Sequence, residues 1–199
     1  ADGLNGICAS FGLIPLIFLT FFGSINYGLL IPIGAVLGFM AYNLGYLGKK
    51  RRVFLGDSGS NYIGFIVAFL CIMHSQDSQI INPVTALWLV AIPLLDCLGV
   101  IVSRVKKGLM PFTPGRDHLH HKLLDKGLSP KNILYIFILM STILCSIGCL
   151  IEFFYPNDEY ISLGLFILFA ILYYAFTKNS INWNKELKTK VQNKMESNV

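Results

Sequence analysis

Long apolar blocks separated by short polar segments fill most of this chain, and their length approaches the roughly 20 residues that a helix needs to cross a bilayer. Six blocks predict six helices: Ile7 to Phe22, Ile25 to Leu47, Asn61 to Met73, Pro83 to Val102, Ile133 to Phe154 and Tyr160 to Phe176. The first and third are short for a full crossing, so each is expected to extend into the Gly- and Ser-containing segment before it. The expected fold class is all-α, a polytopic transmembrane helical bundle of about six spans. No internal repeat or low-complexity linker divides it. It reads as one domain over residues 1–177 followed by a polar tail over residues 178–199, whose KELKTKVQNK run suits a solvated end facing lipid headgroups.

Composition agrees with lipid as the solvent: 54% of the 199 residues are hydrophobic and 14% charged, with a mean hydropathy of +0.62, outside the usual range of soluble domains. The formal net charge of +5 would admit a nucleic-acid partner, but the distribution of charge removes it. If the six helices alternate across the membrane, the segments around Lys49 to Asp57 and Arg104 to Lys131 share one side with the tail from Lys178. All sixteen Lys and Arg residues lie in those three segments, and the opposite loops carry none. The positive-inside rule makes the basic face cytoplasmic, so a multi-pass membrane protein is expected, with the lipid bilayer as a partner and no nucleic acid. Five cysteines with no CxxC spacing read as small buried hydrophobes. His74 stands alone near the opposite face, as an interfacial residue. The chain opens on Ala1-Asp2 without an initiator Met or a basic leader, so a start further upstream is expected.

Four polar constellations stand out against this background. Asp2-Gly3-Leu4-Asn5-Gly6 precedes the first helix, where Asp or Asn serves either as a helix cap or as a functional group. Phe54-Leu55-Gly56-Asp57-Ser58-Gly59-Ser60 precedes the third. Its glycines allow close approach to a phosphate, and Asp57 at a helix N-terminus suits Mg²⁺ or a plain cap. Asp96 lies inside the fourth apolar block, where a carboxylate costs about 2.5–3.5 kcal/mol unless it meets a partner or a wet cavity. Arg104 is about 12 Å further along the same straight helix, too far for direct contact. A pair with another segment and a wet cavity both remain open. Pro93 frees a backbone carbonyl one turn before it.

The fourth constellation is the densest, Pro111-Phe112-Thr113-Pro114-Gly115-Arg116-Asp117-His118-Leu119-His120-His121. Arg116 offers planar bidentate donors and His118, His120 and His121 further ones, with Arg104, Lys106 and Lys107 nearby, as an anion cradle for a diphosphate. Zinc binding and a purely structural loop are the competing readings, the former without accompanying Cys.

Taken in order, DGLNG, FLGDSGS, PLLD and MPFTPGRDHLHH resemble the cytoplasmic motif series of the polyprenyl-phosphate N-acetylhexosamine-1-phosphate transferases, over Asp2 to about His121. The HxHH form preceded by PFxPxR looks more like the N-acetylglucosamine-1-phosphate transferases of O-antigen, enterobacterial common antigen and teichoic acid synthesis. The phospho-N-acetylmuramoyl-pentapeptide transferases of peptidoglycan synthesis carry three adjacent histidines instead.

The resemblance implies that a UDP-N-acetylhexosamine and undecaprenyl phosphate react with Mg²⁺, or Mn²⁺ in its place, to give a lipid-linked pyrophosphoryl sugar and UMP. By motif, Asp57 is a metal or catalytic carboxylate and Asp2 a second active-site acid. Asn5 stands where many relatives have Asp, and Arg116, His118, His120 and His121 hold the nucleotide-sugar diphosphate. A homodimer is admitted. The family also carries an Asp-Asp motif upstream of DG, so this chain reads as the C-terminal part, with N-terminal spans missing, and as inactive on its own. Two rivals from other classes are a transporter, which suits an intramembrane Asp96, and a noncatalytic membrane scaffold. The transporter does not account for the clustering of polar residues on the basic face, whereas the missing N-terminal part leaves the scaffold open.

Overall fold

The computed structural model describes residues 4–22, 27–111, 115, 117–156 and 158–196. Asp2 and Arg116 lie outside the described residues. The described chain is helical, with no strand among the described residues. Its helices are α1 (Ile7–Leu19), α2 (Tyr27–Asn43), α3 (Gly56–Ile72), α4 (Pro83–Leu89), α5 (Ala91–Lys106), α6 (Leu119–Asp125), α7 (Pro130–Phe154) and α8 (Glu159–Glu196).

The apolar elements fall in the predicted order, but their lengths separate them. Three stretches among the described residues are long and apolar enough to cross a bilayer: Gly56–Asp77, Pro130–Phe154 and Glu159–Lys178. The α4–α5 pair makes a fourth if counted as one span, while α1 and α2 are shorter apolar helices. A count of six is therefore not reached on length and composition.

The boundaries have local causes. α3 does extend back to Gly56, as expected, and continues through a π-helical turn at Met73–Asp77. α1 does not extend, because Gly6 adopts a left-handed φ of 82° that ends the helix geometry there. α7 begins on Ser129, whose hydroxyl accepts the Asn132 N–H at 3.3 Å, with Pro130 in the first helical position. α8 runs unbroken into the polar tail as far as Glu196.

The block read as one helix from Pro83 to Val102 is broken instead. α4 and α5 meet at Val90 with a bend of 83°. Pro93 has no N–H to give the Leu89 carbonyl four residues back, and the Cys145 thiol of α7 donates to that carbonyl at 3.4 Å. A freed backbone acceptor in the apolar layer is thus satisfied from a neighbouring helix, as membrane proteins require.

α1 packs against α2, α3 and α7, and α7 against α4. Two glycines set these approaches. A Cβ on Gly12 would stand 2.3 Å from Ile63 of α3, and one on Gly148 of α7 2.4 Å from Trp88 of α4. At that closeness only glycine lets the helices touch. Trp88 then donates its indole N–H to Ser162 of α8 at 3.2 Å. His74 is buried, its Nδ1 lying 2.8 Å from the Leu70 carbonyl.

Candidate functional site

Two of the polar constellations meet at one end of the bundle. Gly6, at the start of α1, lies against Leu44 beyond α2 and Leu134 near the start of α7, so close that a Cβ would be 2.9 Å from Leu44 and 3.1 Å from Leu134. Asn43, the last residue of α2, donates its amide to the Val53 carbonyl at 2.8 Å and ties the strand of chain before Gly56 to the same place. A small cavity of about 20 Å³ is left between them, lined by Asn5, Gly6, Asn43, Phe54 and Leu55 among others. Asn5 thus adjoins the segment that leads into Asp57. Asn43 was not anticipated. It is only 4% exposed, and its Oδ1 has no hydrogen-bond partner. The signal in the sequence is a lone amide closing an apolar block just before a basic run.

Asp57 is exposed in the first turn of α3, and its carboxylate makes no hydrogen bond among the described residues. Its backbone carbonyl accepts the Ser60 hydroxyl at 3.0 Å. An acidic side chain there faces the positive end of the helix dipole. From Ser60, one turn on, an apolar groove of about 540 Å³ runs between α1, α3 and the bent α4–α5 pair toward Gln76 and Pro83, with Ile63, Val67 and Pro93 in its walls.

The histidines gather at the start of α6. His118 is the N-cap residue, and its side chain does not cap the helix. Instead its Nδ1 donates to Asp96 Oδ2 at 2.8 Å, and the Leu119 N–H donates to Asp96 Oδ1 at 2.9 Å. Tyr173 of α8 donates to the same Oδ1 at 3.5 Å. Of the two settings open to a carboxylate in an apolar helix, Asp96 has a partner on another segment. The rings of His118 and His120 lie parallel with centroids 5.8 Å apart, and those of His120 and His121 are 4.2 Å apart.

His120 is 3% exposed, and its Nε2 has no hydrogen-bond partner among the described residues. Burial, reinforced by the neighbouring His121, pushes its pKa down to about 4. At neutral pH it is an uncharged imidazole. Burial also lowers Lys122, on the same short helix.

Two further cations of this face are engaged elsewhere. Arg104, 7% exposed, donates twice to Asp117 Oδ2, at 3.1 Å from both Nε and an Nη, and once to the Pro111 carbonyl at 3.0 Å. It ties together the two ends of the loop that contains Arg116. Lys106 donates to the Tyr174 hydroxyl at 3.0 Å.

At the opposite end a second intramembrane carboxyl group, Glu152 of α7, is 9% exposed. It accepts the Asn82 N–H and side-chain amide at 3.1 Å each, and the Thr85 hydroxyl. The sequence reading passed over it because it falls near the end of an apolar block.

A fold of apolar helices with its polar constellations at one end defines a membrane protein, and its residues 1–75 match glycosyl transferase family 4. Its relatives include proteins named undecaprenyl-phosphate alpha-N-acetylglucosaminyl 1-phosphate transferase. Those of Escherichia coli and Shigella flexneri are each 37% identical over 180 residues, 86% of this chain and 49% of the relative. That of Haemophilus influenzae is 36% identical over 162 residues, 79% of this chain and 46% of the relative. The chain spans about half the length of the curated relatives it matches. No solved structure matches it.

Proposed function

We propose that the complete protein transfers N-acetylhexosamine 1-phosphate, of the N-acetylglucosamine type, from its UDP-sugar to undecaprenyl phosphate, releasing UMP. The reaction takes place at the cytoplasmic face of the bacterial cytoplasmic membrane, as the first membrane step of a surface polysaccharide. The observation that carries this reading is the shared name of relatives 37% identical over 86% of the chain. The geometry agrees with it. Phosphoryl transfer needs chiefly positioned donors and charge against a diphosphate, with the acceptor phosphate at the bilayer surface. Asn5, Asp57 and the three histidines belong to segments on the basic face, and the apolar groove opening beside Ser60 suits an isoprenoid tail.

Mg²⁺, with Mn²⁺ as a substitute, fits the donor set at Asp57. Mg²⁺ is commonly held by one or two carboxylates together with substrate phosphates. Asp57 offers one exposed carboxylate, and among the described residues no group of three or more His, Cys, Asp or Glu side chains forms a cage. When bound, the ion supplies charge against the transferred phosphate. Asp2, by its motif, is a further acid, and Arg116 grips the diphosphate bidentately. His118 and His121 donate to the diphosphate oxygens, His120 contributes as a neutral imidazole, and Asn5 contacts the nucleotide sugar. The same relatives favour this reading over a muramoyl-pentapeptide transferase or a transporter.

The test is UMP release by the full-length protein in detergent, from UDP-N-acetylglucosamine and undecaprenyl phosphate with Mg²⁺. Turnover that chelation abolishes is expected, and Asp57→Asn should lower kcat about a thousandfold with an unchanged melting temperature. No UMP above the blank, or turnover only with UDP-N-acetylmuramoyl-pentapeptide, would overturn the reading. Near-normal kcat in Asp57→Asn would remove Asp57 from the metal site.

A further inference from the structure

α5 carries a carboxylate whose bonds all leave its own helix. Asp96 receives Nδ1–H of His118 at 2.8 Å, the backbone N–H of Leu119 at 2.9 Å and the Tyr173 hydroxyl at 3.5 Å. Two of these donors belong to the start of α6. We propose that Asp96 is a positioning residue that acts through His118. It holds the imidazole by its Nδ1–H, so that Nε2 is the atom turned to the diphosphate of the sugar nucleotide, to which it donates as the N–H of an imidazolium once that anion is bound, and it anchors the helix that bears His120 and His121. The proposal rests on the diphosphate-binding role given to His118 above.

The tautomer follows from the partner. An ionised carboxylate can only accept, so the Nδ1 facing it must carry the hydrogen. The far nitrogen then points away from Asp96 on a side chain that is 32% exposed, whereas the Asp96 side chain is 17% exposed. A ring fixed at one nitrogen presents the other in one direction, as an outer carboxylate does for a ligating histidine.

The second part follows from the length of α6. Seven residues are too few to hold helical geometry alone, and the N-cap side chain, His118, is turned to Asp96 and does not cap. The Leu119 N–H, an orphan of the first turn, is satisfied by Asp96 instead. One carboxylate thereby fixes His118 directly and sets the start from which His120 and His121 are counted. Arg104 does not compete for it, being held by Asp117 and the Pro111 carbonyl.

A purely structural carboxylate would weaken folding without regard to His118, and a mutant cycle separates the two cases. In the full-length protein, Asp96→Asn is expected to raise KM for UDP-N-acetylglucosamine about tenfold at an unchanged melting temperature. In a His118→Asn background the same substitution should add less than about twofold. Effects that multiply, an unchanged KM, or a loss traced wholly to unfolding would overturn the proposal. ¹⁵N chemical shifts of the His118 ring give a readout independent of turnover. The proton should lie on Nδ1 in the wild type and move to Nε2 in Asp96→Ala, and a wild-type ring protonated only on Nε2 would sink the idea. If the wild type released no UMP, the transferase reading would fall while these shifts still decided the Asp96–His118 pair.

Discussion

Among single residues, His120 shows most clearly how burial changes chemistry. An exposed histidine on a basic face would be partly charged near neutral pH, but His120 is buried and its pKa lies at about 4. In the unfolded chain it returns to about 6.5. As pH falls from 6.5 toward 4, the unfolded state takes up a proton that the folded state refuses. Stability present above pH 6.5 is therefore lost across that window. At about 1.4 kcal/mol per pKa unit the loss reaches at most about 3.5 kcal/mol. Thermal unfolding in detergent between pH 7 and pH 4.5 should show a steeper fall for the wild type than for His120→Gln. Parallel curves would show that His120 is not the residue responsible.

At the level of elements, the bent α4–α5 pair is held from outside at three points. The Cys145 thiol takes the carbonyl freed by Pro93, Gly148 lets Trp88 approach α7, and Glu152 accepts the donors at the start of α4. Asn82, the N-cap residue, makes no side-chain cap of its own. Glu152→Ala would leave buried donors without an acceptor and should cost about 2–4 kcal/mol. Glu152→Gln keeps an acceptor oxygen and most of the volume, so it should cost roughly 1 kcal/mol. Equal losses in the two variants, measured by denaturant unfolding in detergent, would show that packing and not hydrogen bonding gives Glu152 its weight.

Over the whole molecule, the direction of α7 orders the two faces. Its 25 residues span about 37 Å, enough to separate the loop before Pro130 from the turn after Phe154 by a bilayer's thickness. In the orientation proposed above, the loop before Pro130 is cytoplasmic. Lys126→Cys should react with a membrane-impermeant maleimide only in inverted vesicles, and Tyr155→Cys only in intact spheroplasts. Labelling of both from one side would break the arrangement.

The sequence by itself settled the class of fold, because the length of an apolar block and the placement of Lys and Arg are one-dimensional properties that a bilayer reads directly. It also located the motif residues, since DGLNG, FLGDSGS and the histidine tract are contiguous. It showed that Asp96 needed a partner or a wet cavity, from the cost of an unpaired carboxylate, yet the pairing with His118 required α6 to fold back on α5. The break at Val90 was hidden for a similar reason. Pro93 alone tolerates a straight helix, and only Cys145 at the freed carbonyl and the packing of Trp88 on Gly148 make a bend of 83° sustainable. The neutrality of His120, the internal use of Arg104 and the cavity between Asn5 and Asn43 were decided by tertiary structure alone. Each depends on which side chains surround a group in space, and burial, unlike hydropathy, is not a property of a residue's place in the chain.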